Sequence, residues 1–245
     1  MVRKPSRYKN KRQTPISFSE FEDLVAHVER IRDGFTIDHL TRSSLITILY
    51  YTGLRIAEVC GDSERKWKAL TDRGVQLSKS PGWVKRVWLD TEEGELWEWR
   101  HRGRLPGILK EDIKKEGKTL YLSSEPLKHG SRGAPLELSL DWPYVILIEG
   151  QWSRKEIKLG ERVWPICASS ARTIIRQAEQ SLYPHAFRSS LVTTMARDPD
   201  ISVADMLGQF GWARASTADA YIMEQRSRAH ARASIEKMIQ QKVDK

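Results

Sequence analysis

The chain has 245 residues, 40% hydrophobic and 30% charged, enough for one large domain or two small ones with a buried core. No apolar run reaches the roughly 18 residues of a membrane span, and no apolar stretch follows the basic N-terminus. Two cysteines, Cys60 and Cys167, are too few for a disulfide framework, so the expectation is a cytoplasmic protein with no membrane partner. The 41 Lys+Arg against 32 Asp+Glu leave a surplus of +9, which points to a polyanionic partner but specifies no chemistry.

Residues 1–15 hold Arg3, Lys4, Arg7, Lys9, Lys11 and Arg12 and no acid, six of the nine surplus charges. Pro5 and Pro15 oppose a helix there, so the segment reads as a basic arm or an interdomain linker. A solvated terminus and a nucleic-acid-tracking arm are both open readings. From Ser17 the steps of Phe18, Phe21, Leu24, Val25, Val28 and Ile31 predict a helix, with Ser19 as its cap and Gly34 as its end. DHLTRSSLITILYYTG, residues 38–53, predicts a second helix that is apolar on most faces and therefore buried. Gly53 breaks or bends it just before Leu54-Arg55-Ile56-Ala57-Glu58.

Residues 61–106 differ in kind, with Trp67, Trp83, Trp88, Trp97 and Trp99 set among charges. VKRVWLDTEEGELWEWRHR predicts two short strands around an acidic turn that contains glycine. The segment reads either as a satellite hairpin packed on the body or as an accessory contact surface. KTLYLSSEPLKHGSRGAPLELSL then predicts strand, turn and strand, with Lys128 near the hairpin tip. Asp141-Trp142-Pro143 predicts a helix start with proline in its first turn. Beyond Ser169 the pattern is helical, interrupted near Tyr183-Pro184, Asp198-Pro199-Asp200 and Gly208 to Gly211.

Three segments carry residues suited to chemistry. In YTGLRIAEV, Arg55 follows a glycine break and Glu58 lies three positions on. In PHAFRSS, His185 and Arg188 are at i and i+3, on one helix face. In FGWARASTADAYI, Trp212 precedes Tyr221 by nine positions, and Ser216 with Asp219 forms a capping pattern that predicts a helix from about residue 217, with Tyr221 near its second turn. Each alone has an ordinary structural explanation: an ion pair, a solvated helix face, a core tyrosine.

Together and in this order, the segments resemble the tyrosine recombinase (phage integrase) family. Its pattern runs T-G-L-R-x-x-E, a hairpin lysine, H-x-x-R, L-G-H/W, then a tyrosine nine positions after that His or Trp. The resemblance covers about residue 16 to the end. It implies an α+β, mostly α catalytic domain over 16–245, a helical bundle with a small antiparallel sheet, carrying the Trp-rich insertion at about 61–106 and a C-terminal helix at about 225–245. It implies that Arg55 and Arg188 grip a scissile phosphate in double-stranded DNA, that His185 and Trp212 line it, that Lys128 is the hairpin lysine, that Tyr221 is the nucleophile and that Glu58 supports the site. Lys118, one strand earlier, is the alternative lysine.

The implied reaction has a physical rationale. Attack on a phosphodiester adds charge to the non-bridging oxygens, which two guanidinium forks stabilise more in the transition state than before it. A phenol ordinarily ionises near pH 10, so a cationic site or a base must help it lose its proton, and His185 is the candidate base. The leaving 5′-oxygen needs a proton, for which Lys128 is a candidate. A phosphotyrosyl bond conserves the energy of the DNA linkage, so rejoining calls for no cofactor and no metal. Trp212, where histidine is commoner, donates a hydrogen bond but shuttles no proton.

The implied activity is site-specific DNA recombination or integration through a 3′-phosphotyrosyl intermediate. A type IB topoisomerase, a telomere resolvase and a catalytically silent DNA-binding module are the rival readings. The Arg55 to Lys128 interval of 73 residues is longer than the family pattern, and the Trp-rich segment accounts for the excess. Family members carry a helical core-binding domain ahead of the catalytic one, where about 16 residues stand here, so either a linker stump or a one-sided DNA grip is expected. The segment RSRAHARASIEKMIQQKVDK, with Ala231, Ile235, Met238 and Ile239 as an apolar stripe, packs on its own domain or docks on a neighbour. The corresponding assembly is a monomer alone and a dimer or tetramer on DNA.

Overall fold

Ser17 and Glu20 cap each other at the start of the first helix. The Ser17 amide and hydroxyl donate to Glu20 Oε2 at 2.7 and 2.8 Å, and the Glu20 amide donates back to Ser17 Oγ at 3.2 Å. The cap is therefore Ser17 and not Ser19: Glu22 stands three positions after Ser19 as Glu20 does after Ser17, but the helix already starts at Phe18 and the reciprocal pair that forms is Ser17 with Glu20. The computed structural model of the chain describes residues 15–30, 37–61, 107–124 and 134–227, together with the backbone of 75–77, 84–89 and 96–101. The arm at 1–14, Ile31, Gly34, Trp67, Trp83, Lys128 and the stripe from Ala231 onward lie outside the described residues.

Helix α1 (Phe18–Arg30) buries Phe21, Leu24, Val25 and Val28, as its periodicity predicts, whereas Phe18, the first of the predicted steps, is exposed. Helix α2 (His39–Thr52) starts at Asp38, whose side chain accepts from the Thr41 amide at 3.0 Å, and ends at Gly53 with φ 60. It buries every residue from Thr41 to Leu49, so the sequence reading of a helix enclosed on most faces holds. Arg154 clasps the Asp38 cap with two 2.8 Å bonds. Helix α3 (Ile56–Cys60) follows at once.

Strands β1 (Val75–Leu77), β2 (Val84–Leu89) and β3 (Leu96–His101) form an antiparallel sheet in that order, with Trp88 and Trp97 as register partners. The two strands expected in the Trp-rich segment are present, and β1 is a third. Gly61 and Gly107, on either side of residues 62–106, are neighbours. Gly107, at φ 73, sits so close to the end of α3 that a Cβ there would lie 2.5 Å from the Val59 carbonyl oxygen and 2.7 Å from the Gly61 nitrogen. The Ile108 amide donates to that Val59 oxygen at 3.0 Å.

A second antiparallel sheet has the order β4 (Ile113–Glu116), β5 (Thr119–Leu122), β6 (Leu136–Ser139). Strands β5 and β6 were predicted. β4 was not, because IKKE has one apolar residue and no alternation, and buries only Ile113. The expected helix opening at Pro143 begins later. Helix α4 (Val145–Trp152) starts after Tyr144, which takes φ 66 with its ring edge-on to Phe21 at 5.5 Å. Pro143 lies in the preceding turn, where its carbonyl accepts from the Tyr51 hydroxyl at 2.9 Å.

Helices α5 (Ala168–Ala178), α6 (Pro184–Arg197), α7 (Val203–Phe210) and α8 (215–227) complete the described chain. Their breaks fall where Pro184, the Asp198-Pro199-Asp200 run and Gly211 predict them. The architecture is mostly helical with small antiparallel sheets, as the sequence reading expected at this level. Two apolar clusters hold it. The larger joins α1 to α6 and the second sheet around residues such as Phe21, Leu49, Leu120, Trp164 and Phe187. The smaller, of Val192, Ala196, Met206, Phe210, Ala218 and Ile222, unites α6, α7 and α8. Among the described residues no helix is long and apolar enough to cross a membrane.

Candidate active site

The α2–α3 turn is where the first candidate residue is fixed. Gly53 reverses the chain at φ 60, a conformation that disfavours a side chain, and a Cβ there would lie 3.0 Å from Phe210 and 3.2 Å from Leu191. Arg55 then becomes the N-cap of α3, and Glu58, fully buried, turns back onto it. Glu58 accepts from the Arg55 amide at 2.7 Å and from Arg55 Nη1 at 2.8 Å. The Arg55 side chain remains 24% exposed. The Arg-x-x-Glu spacing thus produces an ion pair, and one that aims a partly exposed guanidinium from a rigid buried carboxylate.

Arg188 occupies the join between the two apolar clusters. It is 3% exposed. Its Nη1 donates to the Gly53 carbonyl at 3.1 Å, across 135 positions of sequence, and its Nη2 donates to the Phe210 carbonyl at 2.9 Å. The guanidinium also lies 4.9 Å from the Phe210 ring centroid and 5.9 Å from that of Trp212. Buried arginines need such compensation, since an unpaired buried charge is strongly destabilising.

Trp212 and Tyr221 continue the same line. Phe210 and Trp212 rings are 5.0 Å apart, and the Trp212 indole stacks on the Tyr221 ring at 5.6 Å and 12°. Tyr221 is 40% exposed. It sits in the second turn of α8, as expected, although the helix begins at 215 and not at 217. Ser216 is therefore inside the first turn and is not the cap. Arg214 stands before the helix, its carbonyl accepting from the Thr217 amide at 3.1 Å.

His185 and Arg188 share α6 but differ in setting. Three residues on a helix are about 60° apart, so Arg188 falls inside the packed face with Ala186, Phe187 and Ser190, whereas His185 is exposed in the first turn. Lys128 belongs to residues 125–133 between β5 and β6, outside the described residues. The alternative, Lys118, is in the β4–β5 turn, with Nζ 2.9 Å from Asp141 Oδ1, and both side chains are mostly exposed.

The structure thus brings together the Gly53–Arg55 turn, Arg188, Trp212 and Tyr221. It adds parts that the sequence reading missed. The carbonyls of Gly53 and Phe210 have no side-chain signature, and the available hint was a glycine beside each, Gly53 itself and Gly211, both at φ 60. Gln209 Nε2 donates to the Thr52 carbonyl at 3.1 Å, a second tie from α7 to the end of α2. Two arginines on one turn-and-helix framework next to an exposed phenol suit an anionic, phosphate-like ligand and a nucleophilic oxygen. No family model matches the chain, and no curated protein matches it.

Proposed function

We propose that the chain is a site-specific DNA recombinase of the tyrosine type, with the catalytic-domain fold of that family, which cleaves and rejoins strands through a 3′-phosphotyrosyl intermediate. The observation that supports it best is the line Gly53, Arg188, Phe210, Trp212, Tyr221, in which segments far apart in sequence meet in the order the motif requires.

In this reading Arg55 and Arg188 hold the scissile phosphate and stabilise the charge that builds on its non-bridging oxygens. Tyr221 Oη attacks phosphorus and gives up its proton to His185 or solvent. The P–O5′ bond breaks, and Lys128 supplies the proton to the leaving oxygen. Reversal by an incoming 5′-hydroxyl restores the phosphodiester and frees the tyrosine. Glu58 orients Arg55, and Trp212 holds the Tyr221 ring.

The test uses a pool of nicked suicide duplexes with randomised centres, from which covalently bound protein is recovered on a denaturing gel. Wild type is expected to form an adduct and Tyr221→Phe none. An adduct with Tyr221→Phe, or none with wild type, overturns the reading. Lys128→Ala is expected to block cleavage of the ordinary substrate and to be rescued by a 5′-sulfur leaving group. Rescue at Lys118 instead reassigns the acid.

A further inference from the structure

We propose that Arg214 is an additional phosphate-contacting residue of this site, holding DNA beside the position that Tyr221 attacks; the proposal rests on the DNA-cleaving reading above. Arg214 is exposed and immediately precedes α8. Tyr221 follows seven residues later, in the second turn of the helix that Arg214 precedes. The rise between them is about 10 Å, about three nucleotides along one DNA strand. The Trp212 ring, two residues before Arg214, reaches back to stack on Tyr221, so the loop 211–214 and the phenol form one continuous surface.

The other arginines near Tyr221 are positioned by bonds within the protein. Arg55 pairs with Glu58, Arg188 bonds two carbonyls, Arg197 donates to Gln225 at 3.4 Å, and Arg226 donates to the carbonyls of Asp198, Pro199 and Ile201. Among the described residues no side chain or carbonyl partners the Arg214 guanidinium. The acid nearest in sequence, Asp219, lies five residues on. A guanidinium left in solvent on the loop whose Trp212 stacks on the candidate nucleophile is suited to a phosphate, which it contacts through its planar fork.

The experiment measures binding of an arbitrary blunt duplex by the full chain as salt is raised, in a Tyr221→Phe background. Arg214→Ala is expected to flatten the slope of log K against log salt by about 0.9, one phosphate contact, on every sequence tried. Arg214→Lys is expected to keep the slope. An unchanged slope with Arg214→Ala, or an equal loss with Arg214→Lys, overturns the proposal. Adduct formation measured in parallel separates the two ideas: a flattened slope without any wild-type adduct upholds the contact and overturns the Tyr221 chemistry.

Discussion

The Trp212 indole lies almost parallel to the Tyr221 ring, 12° off and 5.6 Å away, while its other neighbour, Phe210, contributes the carbonyl that fixes Arg188. One aromatic side chain therefore joins a buried cation to an exposed phenol. Aromatic pairs of this kind contribute about 0.5–1.5 kcal/mol beyond area burial. Trp212→Ala is expected to slow adduct formation up to about tenfold and Trp212→Phe to restore most of it, with no change in the pH profile, because indole carries no titrating proton. A profile that shifts with Trp212→Ala would assign the residue a part in proton transfer.

Gly53→Ala tests the turn that carries Arg55 and receives Arg188. The new Cβ would meet Phe210 at 3.0 Å and Leu191 at 3.2 Å in a backbone conformation, φ 60, unfavourable to alanine. A loss of about 1–3 kcal/mol in urea unfolding is expected. Activity at temperatures where the variant is folded should fall further, since the Arg188 Cα is 3.5 Å from the same Cβ.

Glu58→Ala removes two acceptors at once and leaves the Arg55 amide and guanidinium without the bonds at 2.7 and 2.8 Å. Destabilisation of about 1.5–3 kcal/mol is expected, the range for hydrogen bonds to a charged group. If Glu58 acts on catalysis through Arg55, the double substitution Arg55→Ala with Glu58→Ala will slow adduct formation no more than Arg55→Ala alone. Additive losses would show an independent role.

Cys167 offers a pH test remote from the candidate chemistry. Hydrogen bonds from the Ser169 hydroxyl, then the Ser170 hydroxyl, lower its thiol from 9.0 to about 7, whereas burial pushes the Cys60 thiol up. Because the folded value is depressed, the thiolate contributes stability above pH 9 that is lost as pH falls through about 7. Alkylation of the native protein by iodoacetamide should reach half its maximal rate near pH 7 at Cys167 and spare Cys60. Ser169→Ala should move that midpoint upward, and an unmoved midpoint would refute the hydroxyl as the cause.

Local rules acted where a residue and its partner are close in sequence. Asp38 and Thr41, the Gly53 stop, Pro184 at the start of α6 and the apolar steps of α1 all concern neighbours within one or two turns, so periodicity and capping chemistry specify them. The same rules erred where two local choices compete: Ser17 with Glu20 took the cap over Ser19, which has Glu22 at the same spacing, and Tyr144, packed on Phe21, delayed α4 beyond Pro143. The spacing of Arg55, Glu58, His185, Arg188, Trp212 and Tyr221 was likewise readable, as was their chemical aptitude. Only the tertiary structure decided that Arg188 is held by the carbonyls of Gly53 and Phe210, that His185 stays at the surface, that Trp212 lies on Tyr221 and that Gly107 lies against Gly61. The Arg188 bond to Gly53 crosses 135 residues and the acceptors that hold Arg188 are backbone carbonyls, which leave no pattern in the order of side chains.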